Sequence, residues 1–355
     1  MAVNAALPII TDKDREDIEL CIFATESGLD YCKSNSSYVC KYLNLKPQVR
    51  NYEIKNACYA TTCAVQTALH WIKSEAAPGK KALIVSSDIS YNTAGREGEE
   101  VPGIGAVAIL VSDNPLVLEF EHGKNGYFTF ECTDYARPTS TYDIINGQES
   151  LYAYVDCLEG AWEHYKSKVG DIDFNSYFKR LVYHTPFAGL VKMGHGRLLK
   201  DMYPGIKKKE IEENFNNKVL PSLEIARQIG NAYSSAVYIC MISLLLYDDK
   251  VTPGDRIGIY SYGSGSCAEF YSAIIKHKAV SIITSLGIPQ QLEARKKIDV
   301  PQFDELSRIR AAHTGEKTYK TIKDIPRGWY EQHYKGRKLL ILDEVTDYIR
   351  SYKWS

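Results

Sequence analysis

The residue with the clearest chemical potential is Cys58, which lies where an extended run meets a helix. The run is predicted over residues 52–54, and the apolar spacing after Cys58 predicts a helix that is buried on most of its faces. The N–H groups and dipole at a helix N-terminus favour an anion, so this position predicts a lowered thiol pKa and a thiolate nucleophile. The alternative is a structural cysteine that packs beside a core helix.

Three further segments carry residue types that suit acyl chemistry. Glu26 follows an apolar strand predicted at 18–24, where burial raises the pKa of a carboxyl group and suits a general base. His184 follows a strand predicted at 178–183, and the Gly/Ser loop at 263–266 allows backbone N–H groups to approach a ligand. On position alone, each has an ordinary alternative: a surface carboxylate, a satisfied core histidine and a turn.

Together these segments resemble the 3-hydroxy-3-methylglutaryl-CoA synthases, a family with a thiolase fold. The resemblance covers nearly the whole chain and rests on four motifs in the family's order: Thr25-Glu26-Ser27-Gly28, Asn56-Ala57-Cys58-Tyr59, Tyr183-His184-Thr185-Pro186-Phe187 and Tyr262-Gly263-Ser264-Gly265-Ser266. It implies an α/β, thiolase-like fold in which two similar αβ halves form a layered α-β-α-β-α arrangement. We place the half with the nucleophile at 1–115 and the half with the histidine and the Gly/Ser loop at 116–355.

The resemblance also implies a role for each candidate residue. Cys58 would accept an acetyl group, Glu26 would remove a proton from acetyl-Cys58, and His184 would donate a hydrogen bond to the ketone oxygen of the acceptor. No metal and no other cofactor is implied. The implied substrate contacts are Ser150, Lys192, Asn231, Gly263 and Ser264.

Three residues near these motifs have open interpretations. Arg137 could contact a phosphate or form a plain salt bridge. His195 lies in the same segment as Lys192, and its sequence context suggests no role. Asn231, without the family context, is as well explained as a turn residue that interrupts a helix.

Two branches of the family share this chemistry. One joins acetyl-CoA and acetoacetyl-CoA in primary metabolism, and the other installs β-branches in polyketides with donor and acceptor on acyl carrier proteins. The stretch 183–192, and more weakly the ending 348–355, resembles the polyketide branch. Family members are commonly homodimers. Two other functions stay open: a decarboxylating ketosynthase, which would not need Glu26, and an inactive homologue that only binds carrier protein.

The sequence departs from the family pattern in two places. Relatives carry a further N-terminal segment, so a first strand is expected to be missing from the sheet. Val101-Pro102 stands near the position where a hydroxyl-bearing residue is common in relatives. Either departure keeps the inactive homologue in consideration.

Composition excludes several classes of function. The formal net charge of −1 gives no basic excess that would favour nucleic acid or an anionic membrane surface. Nine cysteines, with no CxxC pair, indicate a reducing cytoplasm rather than disulfides or a zinc site. Neither a signal peptide nor an apolar run long enough to span a bilayer is apparent. The basic run 207–209 could dock an acidic carrier protein or could be a solvated helix face.

Periodicity predicts alternating strands and helices, which is typical of α/β architecture. Helices are expected at 37–45, 150–169, 306–312 and across 211–247 with a break at 230–231, and a loop at 95–102. The segment 117–121 is expected to pair beside the strand at 104–111. The other predicted strands are 81–87, 256–261, 269–275 and 338–343.

Overall fold

Two four-stranded sheets carry the fold in the computed structural model, which describes residues 1–89, 98–139 and 142–355. The first sheet has the order β2-β1-β3-β4, and β1 pairs in parallel with both β2 and β3, whereas β4 is antiparallel to β3. The carboxyl ends of β1, β2 and β3 therefore meet at one edge of the sheet. Its strands are β1 (Ile18–Ala24), β2 (Arg50–Ile54), β3 (Lys81–Ile89) and β4 (Ile104–Val111).

The second sheet has the order β5-β10-β9-β8. Strand β8 is parallel to β9, with Tyr183 opposite Tyr260, so both strands end at the same edge of the sheet. Strand β10 is antiparallel to both β9 and β5. Its strands are β5 (Leu118–Phe128), β8 (Arg180–Tyr183), β9 (Arg256–Gly263) and β10 (Cys267–Ile275), and the short strands β6 (Tyr135–Ala136) and β7 (Ile144–Ile145) pair separately.

The predicted partner of the segment 117–121 is wrong. This segment begins β5, which pairs with β10 in the second sheet, with Leu118 opposite Ile275. Alternation of apolar residues identifies a strand but carries no information about its neighbour, which long-range register decides. The part of the predicted loop 95–102 that covers residues 95–97 lies outside the described residues.

Contacts divide the chain into two compact units, one of Ala2 and residues 4–286 and one of Met1, Val3 and residues 287–355. The predicted division at residue 115 stays a prediction. The helices that begin in the unit of Ala2 and residues 4–286 are α1 (Ala2–Ala6), α2 (Asp12–Asp17), α3 (Ser36–Tyr42), α4 (Ala60–Lys73), α5 (Gly147–Val169), α6 (Phe174–Tyr177), α7 (Ala188–Met202), α8 (Lys208–Lys218), α9 (Ala226–Ile229), α10 (Ala236–Tyr247) and α11 (Ala279–Ser285).

The unit at 287–355 contains a small antiparallel sheet of order β11-β12-β13 with three helices. The helix predicted at 306–312 and the strand predicted at 338–343 are confirmed here, with wider or shifted bounds. Its elements are α12 (Ile288–Glu293), α13 (Val300–His313), β11 (Tyr319–Lys320), α14 (Trp329–His333), β12 (Leu340–Thr346) and β13 (Ile349–Trp354).

Helix positions in the unit at 4–286 follow from which faces are apolar. Helix α4 packs on the strands of the first sheet, and α5 packs on β5, β9 and β10. Helix α10 is buried around most of its circumference, as its nearly uninterrupted apolar sequence predicts. Helix α7 was not predicted. Among the described residues, no helix is both long and apolar enough to cross a membrane.

The second sheet and α5 share an aromatic core centred on Trp162. Its indole ring is stacked against Tyr165, with centroids 5.7 Å apart, and meets Phe270 edge-on at 5.2 Å and Phe174 at 5.0 Å. Trp162 is fully enclosed, so these contacts represent a large apolar area removed from water.

Replacement of this indole should therefore destabilise the fold. We expect Trp162→Ala to lower the free energy of unfolding by about 3–5 kcal/mol, measured by urea denaturation, because a cavity opens in the core. Tyr152 lies on the same helix with 63% of its surface exposed, so Tyr152→Ala is the control and should change stability by less than about 0.5 kcal/mol. Equal losses in the two variants would contradict this assignment of the core.

Candidate active site

The sheet edge described above brings Cys58 and Glu26 into contact. Glu26 follows the end of β1, and Cys58 lies in the turn between β2 and α4. The Cys58 Sγ donates a hydrogen bond to Oε2 of Glu26 over 3.5 Å, although the two residues are 32 positions apart. Both side chains are almost entirely buried. The two residues predicted as nucleophile and base are therefore adjacent.

The predicted lowering of the Cys58 pKa is wrong. Burial raises the pKa of this thiol well above its usual value, and the negative charges of Glu26 and Asp88 raise it further. Burial and Asp88 likewise raise the pKa of Glu26 to about 8, against a smaller lowering by Arg137. The resting pair at neutral pH is thus a thiol beside a largely protonated carboxyl group, so acyl transfer needs a proton to leave Cys58.

Asp88, at the end of β3, organises the loop that carries Glu26. Its Oδ1 accepts hydrogen bonds from the Thr25 hydroxyl at 2.6 Å, the Glu26 backbone N–H at 2.9 Å and the Ser27 hydroxyl at 2.8 Å. Its Oδ2 accepts from the backbone N–H of Ser234 at 3.1 Å and from the Ser234 hydroxyl. Sequence reasoning missed Asp88. The signal was a polar triplet, 86–88, at the end of an otherwise apolar strand.

His184 follows β8 and is held by its backbone. Its N–H donates to the Tyr260 carbonyl at 2.7 Å, and its carbonyl accepts from the Tyr154 hydroxyl at 2.9 Å. Burial lowers the pKa of the imidazole to about 3, so the ring is neutral at physiological pH. Within the described residues, its buried Nδ1 has no hydrogen-bond partner. A neutral imidazole of this kind can act as an N–H donor.

The Gly/Ser loop contacts the turn that carries Cys58. A Cβ atom on Gly263 would lie 2.7 Å from the Tyr59 backbone nitrogen and 2.8 Å from the Asn56 carbonyl oxygen, so only glycine permits this approach. Buried Asp134 holds the loop by accepting from the Gly265 N–H at 3.0 Å. Ser264 lies in the loop itself, between β9 and β10. Asp134 was also missed by the sequence analysis.

The turn that carries Cys58 has a second anchor in Glu269 of β10. The hydroxyl of Tyr59 donates to Glu269 Oε2 at 2.5 Å, and the side chain of Asn125 donates to Oε1 at 2.5 Å. Glu269 is nearly fully buried, and burial raises its pKa. A buried carboxylate with two donors fixes the ring of the residue that follows Cys58.

Asn231 lies beside the predicted departure at Val101-Pro102. Its backbone N–H donates to the Val101 carbonyl at 2.9 Å, and its carbonyl accepts from the Gly103 N–H at 2.8 Å. Its side-chain oxygen accepts from the Tyr233 N–H at 2.8 Å. Asn231 is buried and shapes the turn that leads to Ser234 and hence to Asp88. Its role as a substrate contact stays a prediction.

Ser150 and Lys192 lie on helices away from these contacts. Ser150 occupies the first turn of α5, and its backbone N–H donates to the Asn146 carbonyl at 2.9 Å. Lys192 is about half exposed on α7 and pairs with Glu212 at 3.0 Å. In the described part of the chain, no hydrogen bond or ion pair joins either residue to Cys58, Glu26 or His184. Their predicted roles stay predictions.

The residues with open interpretations have definite surroundings in the structure. His195 is a buried core histidine whose ring nitrogens face the Tyr183 hydroxyl at 2.9 Å and the Asn214 side chain at 3.0 Å. Arg137 lies 3.3 Å from Glu26, which supports the salt bridge rather than the phosphate contact. The basic run 207–209 lies at the exposed start of α8, as expected for a solvated helix face.

Comparison with known proteins identifies the family to which this chain is similar. Family models described as the N-terminal and C-terminal parts of hydroxymethylglutaryl-coenzyme A synthase match residues 11–115 and 205–352. The chain is 33% identical over 366 residues to the polyketide biosynthesis 3-hydroxy-3-methylglutaryl-ACP synthase PksG of Bacillus subtilis (strain 168), covering 99% of this chain and 86% of that protein. It is 34% identical over 272 residues to a hydroxymethylglutaryl-CoA synthase of Enterococcus faecalis, covering 76% of this chain and 68% of that protein.

Solved structures agree with the sequence matches. The HMG synthase of the curacin biosynthetic pathway, in complex with its holo donor-ACP, has a TM-score of 0.96 at 35% identity, covering 100% of this chain and 87% of that one. A crystal structure of PksG from Bacillus subtilis has a TM-score of 0.93 at 34% identity, covering 99% of this chain and 87% of that one. The chain therefore has a thiolase-like α/β fold and belongs to the hydroxymethylglutaryl-CoA synthase family of acyl-transferring condensing enzymes.

Proposed function

We propose that this chain is an HMG synthase-type condensing enzyme of polyketide biosynthesis. It would add an acetyl group, carried on Cys58, to a β-ketoacyl thioester on an acyl carrier protein, and hydrolysis would leave a β-branch. The observation that carries the proposal is the 3.5 Å contact between Cys58 Sγ and Glu26 Oε2, a nucleophile with its own base. The similarity to PksG and to the curacin synthase supports the polyketide branch.

The first proposed step is transfer of the acetyl group. The Cys58 sulfur forms a bond to the acetyl carbon, the bond from that carbon to the donor's thiol sulfur breaks, and the Cys58 proton passes to the departing thiolate. Glu26 is placed to relay this proton because its Oε2 already accepts it. Exchange of one thioester for another is nearly balanced in energy, so the site mainly needs to orient the two sulfur atoms.

The second and third steps form a carbon–carbon bond and release the product. Charged Glu26 removes a proton from the methyl group of acetyl-Cys58, and the resulting enolate carbon attacks the ketone of the acceptor. The neutral imidazole of His184 would donate to the developing alkoxide, which then takes up a proton. Water finally cleaves the Cys58 thioester, which returns the thiol and leaves a carboxylate on the branch.

The proposed partners follow from these substrates. A donor and an acceptor carrier protein would each deliver a thioester on a phosphopantetheine arm. The family resemblance supports the further proposal of a homodimer, and the cysteine pattern supports the cytoplasm. The chemistry uses only protein groups, so we propose that no metal or other cofactor takes part.

Acetyl transfer should depend on Cys58. We expect intact-protein mass spectrometry to show one acetyl adduct after incubation with acetyl-loaded carrier protein, and no adduct on Cys58→Ala. Cys32→Ala, at an exposed cysteine, is the control and should keep the adduct. An adduct formed only from acetyl-CoA would favour the primary-metabolism function, in which acetyl-CoA is the donor. No adduct from either donor in folded protein would favour the non-catalytic binder, and condensation from malonyl thioesters would favour the ketosynthase.

Condensation should depend on Glu26 more than acetyl transfer does. Glu26→Gln should still form acetyl-enzyme, because exchange of one thioester for another is nearly balanced in energy and the Cys58 proton can pass directly to the departing thiolate. Condensation should fall by about 10²-fold or more, because no base remains to form the enolate. Glu163→Gln, at an exposed glutamate, is the control. Undiminished condensation by Glu26→Gln would remove the base assignment.

The pH dependence should follow the raised pKa of Glu26. Below about pH 8 this carboxyl group is protonated and cannot accept a proton, so the condensation rate should fall about tenfold per pH unit on the acid side. The pKa of His184 is lowered to about 3, so this residue should add no further change to the pH–rate profile near neutral pH. Rates of carrier-bound product formation across the range test this. A flat profile through pH 8 would contradict proton removal by Glu26 as the limiting step.

A further inference from the structure

We propose that Arg137 is a positioning residue for the condensation: its guanidinium holds Oε1 of Glu26, which leaves Oε2 directed at the Cys58 sulfur. This inference rests on the proposed function, because it requires Glu26 to move protons at Cys58. It gives the side chain a role in the geometry of the base, where the sequence left a phosphate contact and a plain salt bridge equally open.

The two carboxylate oxygens of Glu26 face different partners. Arg137 Nη2 lies 3.3 Å from Oε1, and Cys58 Sγ lies 3.5 Å from Oε2. Across the described residues, Oε1 has no hydrogen-bond partner, so the ion pair is the interaction that the structure gives it. Free rotation of the carboxylate would exchange the two oxygens, and an anchor on one of them keeps the other aimed at the thiol.

Arg137 is itself held in place from several sides. Its Nη2 donates to the Tyr135 hydroxyl at 2.8 Å, and its Nη1 donates to the Ile89 carbonyl at 3.4 Å. Its Cζ lies 5.9 Å from the ring centroid of Tyr135 and 5.7 Å from that of Tyr233. Only 12% of the side chain is exposed. A planar guanidinium fixed between aromatic rings is pre-organised for a defined contact, unlike a flexible surface cation.

The charges around Glu26 explain why a cation belongs here. Asp88 of β3 and Asp143, just before β7, both disfavour the charged form of Glu26, and Cys58 and the Tyr135 hydroxyl are the other titratable groups that face it. Arg137 favours the charged form and partly offsets burial and the two aspartates, although the pKa of Glu26 still stays at about 8. Loss of the guanidinium would raise that pKa further and leave less charged base at neutral pH.

The test compares Arg137→Gln with Arg137→Lys over a range of pH. We expect Arg137→Gln to move the acid limb of condensation upward by about one pH unit, with about a tenfold loss at neutral pH that recovers in base. Arg137→Lys keeps the charge and should keep the limb near its wild-type position, with a lower plateau because it lacks the planar fork. Equal loss at every pH, or a raised KM for the carrier-bound substrate with an unmoved limb, would overturn the proposal and favour the phosphate contact.

Tyr135→Phe distinguishes the effect of Arg137 on the geometry of Glu26 from its effect on charge. It also replaces Arg137→Gln as the test if that variant fails to fold. It removes the hydroxyl that holds Nη2 and leaves every charge in place. We expect the condensation rate to fall several-fold while the acid limb stays where it was and acetyl transfer persists. Full activity in Tyr135→Phe would contradict a positioning role.

A substrate-free measurement distinguishes failure of this inference from failure of the proposed function. The charge of Arg137 lowers the pKa of Cys58, so Arg137→Gln should slow alkylation of Cys58 by iodoacetamide at a given pH, and Arg137→Lys should not. Peptide mass mapping identifies the labelled cysteine. If Arg137→Gln slows labelling but the wild-type protein accepts no acetyl group, the proposed function is contradicted and the inference about Arg137 still holds. Unchanged labelling in Arg137→Gln would overturn the inference itself.

Discussion

The buried carboxylate of Asp88 is the interaction on which the site depends. One of its oxygens gathers the loop of Thr25, Glu26 and Ser27, and the other takes Ser234, which is 146 residues further along the chain. A fully enclosed carboxylate is costly unless charge-assisted hydrogen bonds replace its hydration, and the hydroxyl and N–H donors of these two segments supply them. The base loop and the turn after Asn231 are therefore fixed to the same strand end.

Burial of the site, together with the negative charge of Asp88, sets the protonation of Cys58 and Glu26. A helix N-terminus stabilises an anion by about 0.3–1 kcal/mol, which is less than one pKa unit for a thiol. Burial can shift a pKa by about 3–5 units, and here the negative charges of Asp88 and Glu26 act in the same direction. Burial and negative charge raise the pKa of Cys58 by more than the helix N-terminus can lower it, so Cys58 rests as a thiol despite its place before α4. In the proposed reaction the proton of Cys58 must therefore leave during acyl transfer, and the group that it contacts is Oε2 of Glu26.

The sequence was sufficient to select the candidate residues and to predict most elements, but not to predict the groups that surround them. Motifs located Cys58, Glu26 and His184, and periodicity located strands such as β1 and β9. The partner of β5 was wrong, and Asp88, Asp134 and Glu269 were missed. Each missed carboxylate acts on a residue distant in the chain, as in the pairs Tyr59–Glu269 and Thr25–Asp88, separated by 210 and 63 positions. Local patterns record which face is buried, whereas such pairs depend on register and topology.

Cys58, Glu26 and His184 share one property because all three side chains are buried. Near neutral pH, Cys58 and His184 are uncharged and Glu26 is mostly so, because a low-dielectric site disfavours the charged form of each. In the proposed reaction, further negative charge would develop on sulfur, on the enolate and on the alkoxide. In that reaction Glu26 would relay the proton of the sulfur, and the imidazole of His184 would donate to the alkoxide. How readily Glu26 becomes charged is therefore set by burial and by two fixed charges that act on its pKa in opposite directions, Asp88 and Arg137.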